Sequence, residues 1–380
     1  MTREIGAERV ERMWRAGEAF TLVDTRPEES FEAWHMPGAV NFTFGKEESL
    51  DGERAAEFDR EVDGDRPIVT VCAKGISSHN FADELATAGY EDVAVIDGGM
   101  EAWSAVYDVV PIAFDSVEVV QIQRRAKGCL GYLVCDPGTR EAAVVDATRH
   151  TEEFRGAARE REYEITAVLD THVHADHVSG GRDLASELDV PYYLGERARE
   201  RGLEYEYTPL ERNEVLPIGD VDLKALSTPG HTSEMVNYLV GDTALLSADT
   251  LFVDGTGRTE LEFSEDAGEA GARMQHGSIH RTLLAEPDSI TVLPGHVTVT
   301  SEGEFEGGRP GEAIRATVGG LRTGLEVLDL DEEAFVERSL ETLPEKPPNY
   351  ERVIDVNRGK ETVEDEEATE LELGPNNCSA

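Results

Sequence analysis

The feature that most constrains the fold is an apolar run followed at once by a cluster of histidines. Residues 165–170, ITAVLD, have the composition of a buried β-strand, and THVHADH follows directly. In extended backbone, side chains two positions apart point to the same side, so His172 and His174 are expected to face one place. Asp176 and His177 come next, where the chain is expected to turn into a helix. Imidazole and carboxylate groups bind Zn²⁺, Mn²⁺ and Fe²⁺, so this strand end is predicted to be a metal site.

Further candidate ligands follow later strand-like runs. His231 lies in STPGHTSE, Asp249 in LLSADTLF and His296 in VLPGH. With the histidine cluster, these motifs resemble the metallo-β-lactamase fold in their order, over about residues 117–359. The resemblance implies an αββα sandwich, in which two sheets pack face to face between helices. Structural roles are expected for the other histidines of this region, namely His150, His276 and His280.

The resemblance leaves two chemistries open. In the first, which is that of persulfide dioxygenases, one Fe²⁺ is held by His172, His231 and Asp249, and its open faces accept O₂ and a thiol persulfide. The remaining candidates then hydrogen-bond to the ligands or the substrate, and they are His174, Asp176, His177 and His296. In the second, which is that of glyoxalase II, the same seven side chains hold two Zn²⁺ ions, Asp249 bridges them, and a thioester is hydrolysed.

Two segments favour the oxidation. Residues 251–262, LFVDGTGRTELE, are more similar to the corresponding segment of persulfide dioxygenases than to that of glyoxalase II. Residues 343–359, LPEKPPNYERVIDVNRG, resemble the end of the dioxygenase domain and lack the basic helical extension of glyoxalase II. Arg258, within the first segment, is either an anchor for a substrate carboxylate or a structural ion pair.

The first part of the chain carries a different site. Strand-like runs alternate with helical ones there, which predicts a small parallel α/β domain. Cys72 ends the strand-like run PIVTVC, and AKGISS follows before a helix, so backbone N–H groups can surround the sulfur and stabilise a thiolate. This loop resembles the rhodanese active loop, as do VDTRPEESFEAWHMPGAVNF and IDGGMEAW on either side. The resemblance implies that Cys72 carries a persulfide. The predicted substrate-binding residues are Lys74, Gly75, Ser77 and Ser78.

The sequence therefore divides into four predicted segments. Residues 1–108 form the rhodanese-like domain, 109–116 a linker at Pro111, 117–359 the metallo-β-lactamase-like domain, and 360–380 an acidic, mobile tail. Core positions are expected for Cys129 and Cys135, and Cys378 falls in the tail.

The charge of the chain bears on habitat and partners. The formal net charge is -44, from 79 acidic and 35 basic residues. A dispersed acidic excess resembles that of halophilic proteins, and it disfavours nucleic acid and anionic membranes as partners. No stretch reaches the length of a membrane span and the N-terminus lacks a signal-peptide pattern, so a cytoplasmic location is expected. A homodimer is compatible with the sequence.

The two domains suggest one sulfur-metabolism enzyme. We expect oxidation of a low-molecular-weight thiol persulfide by O₂ to sulfite at iron, coupled to sulfur transfer through Cys72. Two alternatives are a binuclear zinc thioesterase with an accessory rhodanese domain, and a non-catalytic sulfur carrier or sensor.

Overall fold

A computed structural model describes residues 2–62, 66–263, 268–341, 343, 346–347 and 349–373. Within these residues, no helix is both long enough and apolar enough to cross a bilayer. The described residues of the first domain form five strands and five helices. In chain order they are β1 (Arg3–Ile5), α1 (Ala7–Arg15), β2 (Thr21–Asp24), α2 (Glu28–Ala33), β3 (Val40–Asn41), α3 (Gly52–Glu61), β4 (Ile68–Val71), α4 (Ile76–Ala88), β5 (Val93–Ile96) and α5 (Gly99–Trp103).

The second domain is larger and holds the remaining described strands and α-helices. They are β6 (Tyr107–Ala113), β7 (Glu118–Arg124), β8 (Leu130–Cys135), β9 (Glu141–Val145), α6 (Thr151–Glu160), β10 (Glu164–Leu169), α7 (Gly181–Leu188), β11 (Tyr192–Gly195), β12 (Thr208–Leu210), β13 (Val215–Ile218), β14 (Val221–Ser227), β15 (Val236–Val240), β16 (Ala244–Ala248), α8 (Glu260–Phe263), α9 (Gly268–Ser278), β17 (Thr291–Pro294), β18 (Ala316–Thr317), α10 (Val318–Gly324), α11 (Glu332–Glu341), α12 (Tyr350–Asn357) and α13 (Asp365–Glu372).

The first domain is built on a parallel sheet with strand order β1-β5-β4-β2-β3. Its central strand β4 is buried along its whole length, as a strand covered by helices on both faces should be. One apolar cluster lies on each side, around Trp103 and around Phe81. Cys72 follows β4 directly, so it sits at the carboxyl edge of this sheet, where α/β proteins commonly bind ligands.

The second domain consists of two facing sheets. One has seven strands in the order β12-β11-β10-β9-β8-β7-β6, and the other has six in the order β13-β14-β15-β16-β17-β18. A core cluster joins the sheets, with Tyr132 from one and Tyr238 from the other, both fully buried. Helices α6 and α7 cover the outer face of the first sheet through Phe154 and Leu184. Helices α9 to α11 cover the second through residues such as Phe335. The predicted αββα sandwich is confirmed.

The predicted linker 109–116 is wrong, because β6 occupies most of it. This strand pairs antiparallel with β7 from Tyr107 to Ala113, and Pro111 lies opposite Val120. Pro111 cannot donate a hydrogen bond, but β6 is the last strand of its sheet, where a missing donor is tolerated. The second domain therefore begins at β6.

The predicted mobile tail is also wrong for the residues that the structure describes. Helix α13 lies within it and buries Ala368, Leu371 and Glu372. Leu371 packs with Val353 of α12, and the Glu372 carboxylate lies 2.7 Å from the guanidinium of Arg124. Apolar contacts with α12 and a buried ion pair thus both place this helix against the domain. Residues 374–380 of the predicted tail, including Cys378, lie outside the described residues.

Candidate metal centre and sulfur-transfer loop

Three predicted ligands converge at the carboxyl ends of strands from both sheets. His172 follows β10, His231 follows β14, and Asp249 directly follows β16. The Asp249 Oδ2 atom lies 3.6 Å from His231 Nε2 and 3.9 Å from His172 Nε2. All three side chains are buried. We call this set the iron triad, after the ion that the sequence predicts for it.

Hydrogen bonds orient both imidazoles of the iron triad. The Thr171 hydroxyl donates to Asp146 at 3.0 Å and accepts from His172 Nδ1 at 2.9 Å. His231 Nδ1 donates to the backbone oxygen of Arg258 at 2.6 Å. With Nδ1 protonated in each ring, Nε2 carries a lone pair that faces Asp249. The pair of imidazoles is therefore prepared to bind a cation.

The electrostatics of the triad agree with this geometry. Burial, reinforced by repulsion from His174, holds the His172 pKa well below its usual value, so the ring is neutral and able to bind metal. Burial alone would raise the Asp249 pKa, but the charge and hydrogen bond of His296 outweigh it and lower the pKa. A neutral imidazole and an ionised carboxylate are the forms that bind a metal ion.

Close backbone packing fixes Asp249. A Cβ atom on Gly295 would lie 2.6 Å from Asp249 Oδ1 and 2.9 Å from the Ala248 carbonyl carbon. Only glycine fits there, which explains the G in VLPGH. Ala248 itself has a positive φ of 43°, a strained conformation of the kind that is common beside functional residues.

A second group of donors lies beside the triad. His296 bridges the two carboxylates, with Nδ1 2.7 Å from Asp249 Oδ1 and Nε2 2.8 Å from Asp176 Oδ2. The same Asp176 oxygen lies 3.0 Å from His177 Nδ1 and accepts from Cys129 Sγ at 3.3 Å. One donor atom from each of these four residues lies within 4.8 Å of the others. We call them the Cys129 cluster.

Cys129 lies in the buried core, as the sequence predicts, and it is also part of this site. It is buried, but its thiol faces polar groups. Nothing in the local sequence marks it as a ligand, because backbone pairing with His296 brings it to the site from far along the chain.

His174 occupies a third position. Its Nε2 lies 3.2 Å from Asp146 Oδ1, and its ring lies between those of His172 and His177, at 4.2 and 4.3 Å. Asp146 and Asp170, which were not among the predicted site residues, join His174 in a third buried group. The available signal was their position, since each aspartate directly follows a strand, Asp146 after β9 and Asp170 after β10.

The buried site fits a metal ion. The atoms His172 Nε2, His174 Nδ1, His177 Nε2 and Asp249 Oδ2 are buried and have no hydrogen-bonding partner among the described residues. Each such atom costs on the order of 1–3 kcal/mol when left unsatisfied. A cation bound to these nitrogen and oxygen atoms would remove that cost, so the donor set suits iron and zinc alike.

Arg258 is buried and pairs with Glu260, from Nε to Oε1 at 2.7 Å. Of the two predicted roles, the structure therefore favours the ion pair. The anchor role for a substrate carboxylate stays a prediction, since the triad residues are buried to a similar degree.

The Cys72 loop surrounds its sulfur with donors. The Ser78 hydroxyl lies 3.3 Å from Sγ, and Ser77 is held by a hydroxyl contact to Thr25 at 3.2 Å. Burial alone would raise the Cys72 pKa, but hydrogen bonds from the side chains and backbones of Ser77 and Ser78 outweigh it and lower the pKa. The loop therefore favours the nucleophilic thiolate. Gly75 immediately precedes α4, at the turn of the loop.

Lys74 pairs with acidic side chains from two elements. Its ammonium group contacts three carboxylates, at 3.2 Å from Glu101, 3.0 Å from Glu370 and 3.6 Å from Glu366. These contacts raise the pKa of Lys74, so the ammonium group stays protonated, and the carboxylates balance its positive charge. The lysine thus links the Cys72 loop to α13, and its role in substrate binding stays a prediction.

The comparisons with known proteins agree with this architecture. Residues 7–106 match the rhodanese-like domain family, and residues 124–301 match the metallo-beta-lactamase superfamily. A probable hydroxyacylglutathione hydrolase of Schizosaccharomyces pombe is 31% identical over 180 residues, which are 46% of this chain. The chain spans 65% of the length of that relative. The probable metallo-hydrolase YqgX of Bacillus subtilis is 34% identical over 148 residues, 34% of this chain and 67% of the relative.

Solved structures share the fold. A metallo-beta-lactamase from Staphylococcus aureus superposes with a TM-score of 0.58 at 25% identity, covering 66% of this chain and 74% of the other. ETHE1 from Myxococcus xanthus superposes with a TM-score of 0.54 at 23% identity, covering 63% of this chain and 96% of the other. With its ligand-bearing strand ends and its Cys72 loop, the chain belongs to the metallo-β-lactamase superfamily and carries a rhodanese-like domain before the metal-binding fold.

Proposed function

We propose that the chain oxidises a low-molecular-weight thiol persulfide with O₂ at one Fe²⁺ ion held by His172, His231 and Asp249. One persulfide, one O₂ and one water give one thiol, one sulfite and two protons. The outer sulfur of the persulfide loses electrons, and O₂ receives them. The S–S bond breaks, and the inner sulfur leaves as the thiol.

The observation that carries this proposal is the iron triad itself. Two imidazoles with fixed tautomers and one carboxylate face a single buried place. Iron held by two histidines and one carboxylate keeps open positions for O₂ and a thiolate-like substrate. The similarity of residues 251–262 to the persulfide dioxygenase segment supports the same chemistry.

Residues outside the triad would set its orientation and protons. His296 spans Asp249 and Asp176, so it holds the Asp249 carboxylate in place and keeps a proton between two anions. Phe252 lies against the edge of His296, with ring centroids 6.3 Å apart, and shields this proton from water. Such a group is suited to deliver a proton to the departing thiol.

Sulfur transfer through Cys72 would complete the reaction. A persulfide on Cys72 can pass its outer sulfur to sulfite, which yields thiosulfate and returns the Cys72 thiolate. One S–S bond breaks and one forms, so no oxidant is required. The lowered pKa of Cys72 suits it as the leaving group of this step.

The test begins with protein purified without added metal. Its iron content is measured together with oxygen uptake and sulfite formation on glutathione persulfide. We expect about one iron per chain, with O₂ and sulfite in equal amounts. His231→Ala should lose at least 99% of the oxygen uptake and keep sulfur transfer through Cys72. His280→Ala, a substitution outside the three donor groups, should keep both activities. Parent-like oxygen uptake in His231→Ala would refute the assignment.

A binuclear zinc hydrolase is the second candidate. The Cys129 cluster offers donors for another ion, and the hydroxyacylglutathione hydrolases are similar to the second domain. This function predicts two tightly bound zinc ions per chain and hydrolysis of a hydroxyacylglutathione thioester. Absence of thioester hydrolysis by the zinc-loaded chain would exclude it.

A further inference from the structure

The turn that carries the histidine motif lies between a strand and a helix and belongs to neither. β10 ends at Leu169, and α7 begins at Gly181. Four of the seven predicted ligands lie between them, namely His172, His174, Asp176 and His177. Because neither a helix nor a strand includes these four residues, the shape of their backbone depends on hydrogen bonds from other parts of the chain.

The side chain of Asn357 binds this turn at three points. Its Nδ2 atom donates to the backbone oxygens of His174 at 2.9 Å and of His177 at 2.8 Å. Its Oδ1 atom accepts from the backbone N–H of Ser179 at 2.9 Å. Two carbonyl oxygens and one N–H group thus meet two N–H donors and one oxygen. Only a carboxamide side chain carries that combination on one carbon atom.

Asn357 is itself held in place. It is the last residue of α12, and Tyr205 Oη donates to its backbone oxygen at 2.9 Å. Gly359 then turns the chain with a φ of 76°, and a Cβ atom there would lie 2.9 Å from Tyr205 Cδ1, so glycine is required. Val353 packs α12 against Leu371 of α13. The carboxamide is therefore presented to the turn by a packed helix end.

A second side chain from the C-terminal helices binds the same turn. Glu372 of α13 accepts from the backbone N–H of Val178 at 2.8 Å. Together with the contacts of Asn357, this places backbone groups of residues 174, 177, 178 and 179 under the control of α12 and α13. The histidine motif is thus positioned from outside the two sheets.

A movement of this backbone would reach the iron triad. The ring of His174 lies between the rings of His172 and His177, with centroids 4.2 and 4.3 Å apart. Asn357 binds the backbone of the second and third of these residues. Because the three rings are packed in a row, a displaced turn would also displace the His172 imidazole.

We infer that Asn357 is a positioning residue of the metal centre, which holds the backbone of the histidine motif so that its imidazoles face the bound ion. It acts through the backbone and contacts neither metal nor substrate. The inference goes beyond the proposed oxidation and does not depend on it, since the same turn would carry the ligands of iron or of zinc. It also gives a physical role to residues 343–359, which the sequence marks only by resemblance.

The test compares the metal affinity of the full chain, freed of metal, in two variants. Asn357→Leu keeps the approximate size of the side chain but removes all three hydrogen bonds. Asn357→Asp keeps the acceptor for Ser179 but sets an oxygen against two carbonyl oxygens. Competition with a chelator for Co²⁺ should show an affinity at least about tenfold lower in both variants, because outer hydrogen bonds around metal ligands are worth that much.

The visible absorption of the bound cobalt gives a second readout, since it reports the arrangement of the ligands. It should shift in both Asn357 variants. Asn213→Asp is the matched control, because it makes the same chemical change in an exposed turn before β13. This control should keep the affinity and the spectrum of the parent.

Hydrogen exchange in the metal-free chain separates a local effect from misfolding. In Asn357→Leu, the amides of residues 174–179 should exchange at least about tenfold faster, while those of the core strand β8 keep the parent rate. Parent-like cobalt affinity in either variant, or equally accelerated exchange in β8, would overturn the inference and leave Asn357 as a general contact of α12. None of these measurements uses oxygen uptake, so failure here is distinct from failure of the proposed function.

Discussion

At the scale of single residues, the iron triad depends on atoms that never touch the metal. The Thr171 hydroxyl is an example, since it donates to Asp146 and so must accept from His172 Nδ1. This leaves the lone pair of His172 on Nε2. The tautomer of His172 is thus set by the Thr171 hydroxyl, and the direction of that hydroxyl is set by Asp146.

Thr171→Val should therefore weaken metal binding at the triad by about 10–100-fold, the usual cost of losing an outer hydrogen bond. Valine has the shape of threonine but cannot accept the His172 proton. Metal affinity is measured by competition with a chelator. Thr166→Val, on the same strand β10, is the control and should bind metal like the parent. Equal affinity in both variants would mean that another contact orients His172.

Ser78 has a comparable role at Cys72. Its hydroxyl and backbone both stabilise the thiolate. Ser78→Ala should raise the Cys72 pKa toward its ordinary value, so the rate of alkylation by iodoacetamide at neutral pH should fall and its pH midpoint should move upward. The rate is followed by mass spectrometry of the peptide that contains Cys72. Ser30→Ala, on the exposed helix α2, should leave the midpoint unchanged. An unchanged midpoint in Ser78→Ala would show that the remaining loop groups set the pKa.

At the scale of elements, the sequence predicts the strands and site residues whose positions follow from a short stretch of neighbouring residues. Buried strands such as β4 and β10 are short apolar runs. A ligand that directly follows such a strand lies at the edge of the sheet, so its position can be predicted from the local sequence alone. Cys129 could not be assigned in this way, because it reaches the site through pairing with His296, which is distant in sequence. Helix α13 was missed for a related reason: its average composition is that of a solvated segment, and its stability comes from partners in other elements.

The buried partner of α13 gives a test with a defined pH dependence. Burial alone would raise the Glu372 pKa, but attraction from Arg124 and Arg149 lowers it to about 2, against a value of 4.5 when unperturbed. A lowered pKa means that folding favours the carboxylate. Its contribution is complete above about pH 4.5 and is lost as the pH falls toward 2.

Glu372→Gln should therefore lower the free energy of unfolding by about 3–5 kcal/mol near neutral pH, because it leaves the Arg124 charge buried without an anion. The difference from the parent should shrink as the pH falls from 4.5 toward 2. Urea unfolding at several pH values measures both effects. Glu366→Gln on the same helix, whose side chain is 83% exposed, should change stability little. A pH-independent difference would show that packing of α13, and not the ion pair, accounts for the loss.

At the scale of the whole molecule, α13 joins the two active regions. Its Glu370 contacts Lys74 in the Cys72 loop, and its Glu372 accepts from Val178 N at 2.8 Å, directly after the histidine motif. The domains are thus packed through a segment that contacts both sites. In the proposed function, sulfite formed at the iron triad and consumed at Cys72 would pass between loops that this helix contacts.

The net charge of -44 governs how the molecule responds to salt. Glu361 and Glu367, for example, both pair with Arg352. Because acidic residues outnumber basic ones so strongly, the remaining carboxylates mostly repel one another. The Debye length falls from about 30 Å at 0.01 M salt to about 3 Å at 1 M. We therefore expect the melting temperature to rise steeply with KCl over this range, and the gain to be largest between low salt and a few tenths molar. Sucrose at equal osmolality is the control, since it favours compact states without screening charge. A melting temperature that rises equally in sucrose, or is highest at low salt, would show that charge repulsion does not limit the stability of this fold.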